Sequence, residues 1–202
     1  MAKKIKVLFS DLGGVLLTNG WDHKSRAKAV AKFGLDEKDY ESRHQLLFGD
    51  YEIGKIDLET YLHYAIFYKP RSFTMKAFVD FMYEQSQPFL DMIEMVKRLK
   101  KEYDLRLVVI SNEGKELTKH RIDKFGLRDL VDFFIVSCFI GTRKPDRGVW
   151  KLALDMVQTA PDETAYIDDR QLFVDIANEM GINAFCHKDL AKTQTNLEAL
   201  FD

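Results

Sequence analysis

Residues 6–17 read "KVLFSDLGGVLL": an apolar run stops at one carboxylate, Asp11, passes through two glycines and turns apolar again. The run before Asp11 is rich in β-branched and aromatic residues and lacks strict alternation, as expected of a strand covered on both faces. In open sheets of this kind, ligands bind beyond the carboxyl ends of the strands. A strand that ends on a bare Asp with Gly-Gly behind it puts a carboxylate at that edge, beside backbone that can approach an anion closely.

Four more runs have the same character: "LRLVVIS" (105–111), "FFIV" (133–136), "TAYID" (164–168) and "INAFC" (182–186). Between them the apolar residues fall at helical spacing. "PFLDMIEMVKRLKKEY" (88–103) puts Met92, Met95, Val96 and Leu99 on one face. "EGKELTKHRIDKFGL" (113–127), "GVWKLALDMV" (148–157) and "DRQLFVDIANEMG" (169–181) follow, the last with Gly181 as a C-terminal cap. This alternation predicts an α/β fold, a Rossmann-like three-layer parallel sheet.

The first interval breaks the rhythm. One strand ends near Ser10 and the next starts near Leu105, far more chain than a crossover needs. The excess reads as helices and predicts a small helical-bundle cap domain over residues 18–87, inserted into a core of 1–17 and 88–202. Phe33, Tyr40, Phe48, Tyr61, Tyr64, Phe67, Phe78 and Phe81 are expected to fill the core of the bundle. Leaving from the carboxyl end of strand one, the cap would sit over the site.

The 202 residues carry a formal net charge of −2. With a pI near 6.2 there is no basic field to recruit nucleic acid or an anionic membrane. The lysines at 3, 4 and 6 make only a short local cluster. Cys138 and Cys186 lack metal-ligand spacing and read as reduced thiols. No secretory signal and no apolar stretch of the roughly 18 residues needed to span a bilayer is present, so the chain is expected to be cytoplasmic. The sequence carries no signal for an oligomeric state. "GKID" in the cap lacks the spacing of a phosphate-binding loop.

Four motifs fall at strand ends: Asp11, Ser111-Asn112, Lys144 in "TRKPD", and Asp168-Asp169. Each has an ordinary structural explanation, as a turn, an N-cap or a loop lysine. Together they converge on one edge of the sheet. Three carboxylates in one place repel unless a cation joins them, and an all-oxygen set suits Mg²⁺. A hydroxyl, an amide and a lysine beside them could hold phosphate oxygens, leaving a carboxylate to attack phosphorus.

In order and spacing, "DLGGV", "ISN", "RKPD" and "YIDDR" resemble the motifs of the haloacid dehalogenase-like hydrolases. "FGDYEIGKIDLETYL" resembles the start of the helical cap in the branch whose cap follows strand one. The resemblance implies a Mg²⁺-dependent phosphatase that forms an aspartyl-phosphate on Asp11 and acts on a small phosphorylated metabolite. It implies Asp11, the Gly13 carbonyl, Asp168 and Asp169 as metal ligands, Asp168 directly or through water. Leu12, Gly13, Ser111, Asn112 and Lys144 would bind the phosphoryl group.

There is one departure with chemical weight. In the usual pattern a second Asp, two residues after the nucleophile, protonates the leaving alcohol, and here that position is Gly13. The "DLG" branch resembles sugar-phosphate phosphatases, including those acting on α-D-glucose 1-phosphate. A water beside Gly13 or a cap side chain could replace the acid, with Asp22, His23, Arg26, Arg43 and His44 as the candidates. Two other readings follow from the same gap. One is a dehalogenase, or a phosphonate hydrolase using Lys24 or Lys28; the other is a non-catalytic binder of phosphate or phosphosugar. Phe173, where the family often has Asn, is a second and peripheral departure.

Overall fold

The computed structural model describes residues 4–201. Lys3 of the lysine cluster and the outermost residues of the expected core thus lie outside it. Five strands form one sheet: β1 (Val7–Ser10), β2 (Arg106–Ser111), β3 (Phe133–Val136), β4 (Thr164–Asp168) and β5 (Asn183–Cys186). All pairs are parallel and the spatial order is β3-β2-β1-β4-β5. The expected α/β architecture is borne out, with β1 at the centre, where the chain's direction of travel across the sheet reverses. That is the switch point at which open parallel sheets bind ligands.

The apolar runs owe their continuity to two cores. Leu8, Leu107, Val109, Ala165 and Ile167 face one side and pack on α5 (Leu90–Glu102) and α10 (Leu190–Phe201). Val7, Phe9, Val108, Ile110 and Tyr166 face the other and meet α8 (Arg147–Val157) and α9 (Gln171–Glu179). Alternate residues therefore point to opposite cores, and both sets must be apolar. Gly181 follows α9 with φ 85°, the left-handed conformation that lets the chain turn into β5.

Between β1 and α5 lie α1 (His23–Phe33), α2 (Glu37–Glu52), α3 (Leu58–Ala65) and α4 (Met75–Glu84). Asp22, Asp36, Asp57 and Thr74 cap their N-termini through side-chain oxygens. Tyr40, Tyr61, Phe78 and Phe81 are buried in a shared aromatic core, with Phe33, Phe48 and Phe67 packed against it. Tyr64 departs from expectation: it is exposed, because α3 buries the stripe Leu58, Tyr61, Leu62 and Ala65, and Tyr64 lies outside it. α2 runs through Gly49 to Glu52, and Gly49 keeps a helical backbone with no left-handed turn. A one-turn helix, α7 (Ser137–Ile140), and α10 are further elements that the periodicity did not mark.

The two connections to the helical unit pair with each other. Leu17 bridges Pro88 in antiparallel fashion, Thr18 N donates to Gln87 O at 2.8 Å, and Phe89 N donates to Leu16 O at 2.9 Å. Arg121 of α6 (Lys115–Lys124) reaches the same place and donates to the Thr18 carbonyl. Its guanidinium also bonds Glu113, and both side chains are buried. On the far side, Ser137 Oγ donates to Glu52 O at 2.6 Å and Arg143 pairs with the Glu52 carboxylate. The unit is thus tied to the core at its paired linkers and at the end of α2. No helix of the described residues is long and apolar enough to cross a membrane.

Candidate active site

Strand register gathers the motifs. Ser10 lies opposite Val109 on β2 and Ile167 on β4, so the next residue, Asp11, emerges level with Asp168. Asp11 N donates to Ile167 O at 2.8 Å, which holds the residue in the line of the strand. Its carboxylate is buried, and Oδ1 accepts from Leu12 N at 2.7 Å.

Lys144 is the electrostatic centre. It is 2% exposed, and its Nζ lies 2.6 Å from Asp168 Oδ2, 2.9 Å from Ile110 O and 3.2 Å from Asp11 Oδ1. Tyr166 shares a strand face with Asp168, and its hydroxyl donates to Asp168 Oδ2. Asp168 Oδ1 accepts from Arg170 N at 2.8 Å. The Lys144 loop is fixed by Asn112, whose amide accepts from Lys144 N and donates to Lys144 O, both at 2.8 Å. The N-cap of α6 is Gly114, so neither Ser111 nor Asn112 is spent as a cap.

Burial raises the Asp11 carboxyl from 3.8 to about 6, with Asp168 and Asp169 adding to the rise and Lys144 opposing it. Burial likewise raises Asp169, again with Asp168 adding to it. One carboxylate oxygen from each of Asp11, Asp168 and Asp169 lies within 4.8 Å of the others. Asp169 Oδ1 is buried without a hydrogen-bond partner among the described residues. Three hard oxygens, a net excess of negative charge and an orphaned buried acceptor fit Mg²⁺. Asp168 Oδ2 accepts from both Lys144 and Tyr166, and Oδ1 from Arg170 N alone.

The two glycines differ in purpose. Gly14 has φ 78°, and a Cβ there would run into the Asp169 carboxylate. Gly13 has no such backbone, but a Cβ on it would lie 3.0 Å from Asn19 Oδ1. The space beside Gly13, where a water or a cap side chain could replace the acid, is bordered by the Asn19 side chain.

A cavity of about 500 Å³ opens above these groups. Asp11, Gly13, Ser111, Asn112 and Lys144 form its floor, and Asp22, His23 and Arg26 stand in its wall. Arg26 is buried and committed: Nε donates to Glu41 Oε1 at 2.7 Å and NH1 to Trp21 O at 3.0 Å. Asp22 spends Oδ1 on Ser25 N. Arg43 and His44 lie off the cavity, contrary to expectation. Arg43 bonds Asp39 and stacks on Tyr68, while His44 Nδ1 sits 2.8 Å from Tyr61 OH inside the aromatic core. Residues 43 and 44 fall on the stripes of α2 that face outward and inward, whereas Phe48 and Glu52 further along the helix reach the cavity. Trp21 packs edge-to-face on Phe78, donates to Tyr40 OH, and also lines the cavity. Trp150 is core, as expected. Burial pushes the Cys138 thiol up to about 12, the opposite of a reactive cysteine.

Sequence reasoning missed Asn19, Glu52, Glu113, Arg143 and Arg170 on the cavity wall. It also missed Tyr166 beneath the cavity, whose signal was its two-residue offset from Asp168 on one strand.

Solved structures share this fold. A HAD family enzyme of Bacteroides thetaiotaomicron, in complex with magnesium and inorganic phosphate, is 20% identical with a TM-score of 0.79, covering 94% of this chain and 98% of that one. A HAD-like family hydrolase of Porphyromonas gingivalis is 21% identical with a TM-score of 0.76 over 97% of this chain and 98% of that one. L-2-haloacid dehalogenase of Xanthobacter autotrophicus is 18% identical with a TM-score of 0.63, over 94% of this chain and 80% of that one. Among curated proteins, pig bifunctional epoxide hydrolase 2 is 25% identical over 133 residues, 64% of this chain but only 24% of that protein. The chain thus matches about a quarter of that relative's length. The model of the haloacid dehalogenase-like hydrolases matches residues 5–178, from the first strand through the last motif, and the chain belongs to that family.

Proposed function

We propose that the chain is a Mg²⁺-dependent phosphomonoester hydrolase that transfers the phosphoryl group to Asp11. The observation that carries the reading is the pairing of a buried lysine with a three-carboxylate cluster that holds an orphaned oxygen. Lys144 cancels one negative charge of the cluster and leaves room for a cation. Asp11, Asp169 and the Gly13 carbonyl would hold Mg²⁺, with Asp168 directly or through water; the ion would supply charge neutralisation for a phosphate dianion. Lys144, the Ser111 hydroxyl and the backbone N–H groups of Leu12 and Gly13 would hold the phosphoryl oxygens. Asn112 would act mainly by fixing Lys144. The complex of the Bacteroides enzyme with magnesium and inorganic phosphate supports the reading.

The substrate would be a small phosphorylated metabolite. Trp21, Phe48 and Phe173 offer apolar faces in the wall, and Asp22 and Glu52 offer acceptors, a mixture that suits a polyol such as a sugar phosphate. Residues 18–87 would act as a cap that shields the site from water, with the paired linkers as its hinge.

A dehalogenase reading has one specific observation in its favour: a halide leaves without a proton, and position 13 supplies none. Against it, attack on carbon needs no metal, and the acid cluster would then be an uncompensated electrostatic cost. Phosphate release from a panel of phosphomonoesters, with Mg²⁺ and with EDTA, tests the proposal. Metal-dependent turnover that Asp11→Asn abolishes is expected; halide release from 2-haloacids in EDTA would reverse it.

A further inference from the structure

The gap at Gly13 is not empty. Asn19, on the linker into the helical unit, puts Oδ1 where a Cβ on residue 13 would lie 3.0 Å away. Burial raises the neighbouring Asp169 carboxyl, and the Asn19 side chain opposes that rise. That position sets the amide oxygen at the slot beside Gly13. Both residues border the cavity over Asp11. Where an acid would stand, this site therefore presents an amide oxygen that accepts a hydrogen bond and has no proton to give.

The other cavity groups do not make up for it. Arg26 is tied to Glu41, Glu113 to Arg121 and Thr118, and Glu52 to Arg143. Asp22, which keeps one carboxylate oxygen after capping α1, and His23 are the remaining cavity side chains that could carry a proton, and the slope measured below reports an acid at either.

Resting on the phosphatase reading, we infer that Asn19 takes the place of the general acid as a positioning residue, and that the substrates are phosphates whose leaving group departs as a stable anion. Acyl, enol, aryl and anomeric phosphates belong to this class; phosphates of primary alcohols do not. In the first step an Asp11 oxygen bonds to phosphorus, the bond to the leaving oxygen breaks, and its electron pair leaves with that oxygen unprotonated. In the second step water attacks phosphorus while donating a hydrogen bond to Asn19 Oδ1. The Asp11–phosphorus bond breaks to restore the carboxylate, and the water proton leaves on inorganic phosphate. An acceptor at this place helps hold the water and does nothing for the leaving group.

The test is a series of substituted phenyl phosphates with similar shape and different leaving-group acidity, assayed with Mg²⁺. A positioned acid is worth roughly 10²–10⁴ in rate, mostly with poor leaving groups. The wild type is expected to lose at least about tenfold in kcat/KM from p-nitrophenyl to phenyl phosphate. Asn19→Asp, or the double change Gly13→Asp/Asn19→Gly, introduces a donor at the slot and should flatten that slope. A shallow slope in the wild type that steepens in His23→Gln would overturn the inference and assign the acid to His23. A shallow slope that His23→Gln leaves unchanged, or a steep one that neither folded donor variant changes, also overturns it. Absence of any Mg²⁺-dependent, Asp11-dependent turnover would instead sink the phosphatase reading itself.

Discussion

Lys144→Met should turn a stable protein into one that depends on magnesium for its stability. The lysine is 2% exposed, and its ammonium touches Asp168 Oδ2 at 2.6 Å and Asp11 Oδ1 at 3.2 Å. Methionine fills a similar volume but leaves two buried carboxylates facing each other, with Asp169 alongside. Removing one partner of a buried ion pair costs about 3–5 kcal/mol, because the other charge stays buried without compensation. For a chain of this size each kcal/mol moves Tm by roughly 2–4 °C, so a fall of about 6–20 °C is expected in EDTA. A divalent cation supplies the missing charge, so Mg²⁺ should restore more Tm in the variant than it adds to the wild type. Adding Asp168→Asn should recover part of the loss in EDTA, since it removes one of the stranded charges. The assay is thermal unfolding of the three proteins with EDTA and with millimolar Mg²⁺. A variant within about 2 °C of wild type in EDTA would refute the reasoning, since it would mean the lysine compensates nothing.

Three more outcomes are expected. Gly14→Ala should cost at least about 1–2 kcal/mol from its φ of 78° alone, and more because the new methyl meets the Asp169 carboxylate; chemical denaturation would measure the loss, and Mg²⁺ affinity should fall with it. Burial, with the Arg26 charge adding to it, holds His44 down at about 4 against 6.5 when unfolded, so the folded state binds fewer protons between these values. Stability is lost as pH falls from about 6.5 toward 4, and His44→Phe should reduce that acid sag in Tm without changing activity at neutral pH. Asp11 has the opposite sign: raised to about 6 from 3.8, its metal-free folded form holds its proton more tightly, and stability is lost as pH rises across that window. Asp11→Asn should accordingly be more stable than wild type in EDTA above pH 6, with the difference shrinking toward pH 4, by calorimetry.

The sheet was legible because both faces of its strands are covered, which writes unbroken apolar runs such as "VLFS" and "RLVVIS" into the chain. The convergence of Asp11, Ser111, Lys144 and Asp168 was legible for a related reason: parallel strands put all their carboxyl ends on one edge. What the wall of the cavity contains was not legible. Helical spacing places His44, Phe48 and Glu52 along one stripe of α2 and Arg43 beside it, but which turns of the helix reach the site depends on how it is docked. That docking is set by distant contacts, such as Ser137 on the Glu52 carbonyl and the aromatic core around Tyr61. Asn19 shows the same limit more sharply. Gly13 reads as a missing side chain, and only the fold of the linker shows that another residue has moved into its place.

The central claim, covalent transfer of a phosphoryl group to Asp11, is tested most directly by acid-quenching the enzyme during turnover of p-nitrophenyl phosphate with Mg²⁺ and mapping the adduct by mass spectrometry. The account predicts one phosphoryl group on the peptide that carries Asp11, absent with EDTA and absent in Asp11→Asn. Turnover with no adduct on that peptide at any quench time, or an adduct that persists in Asp11→Asn, would contradict it.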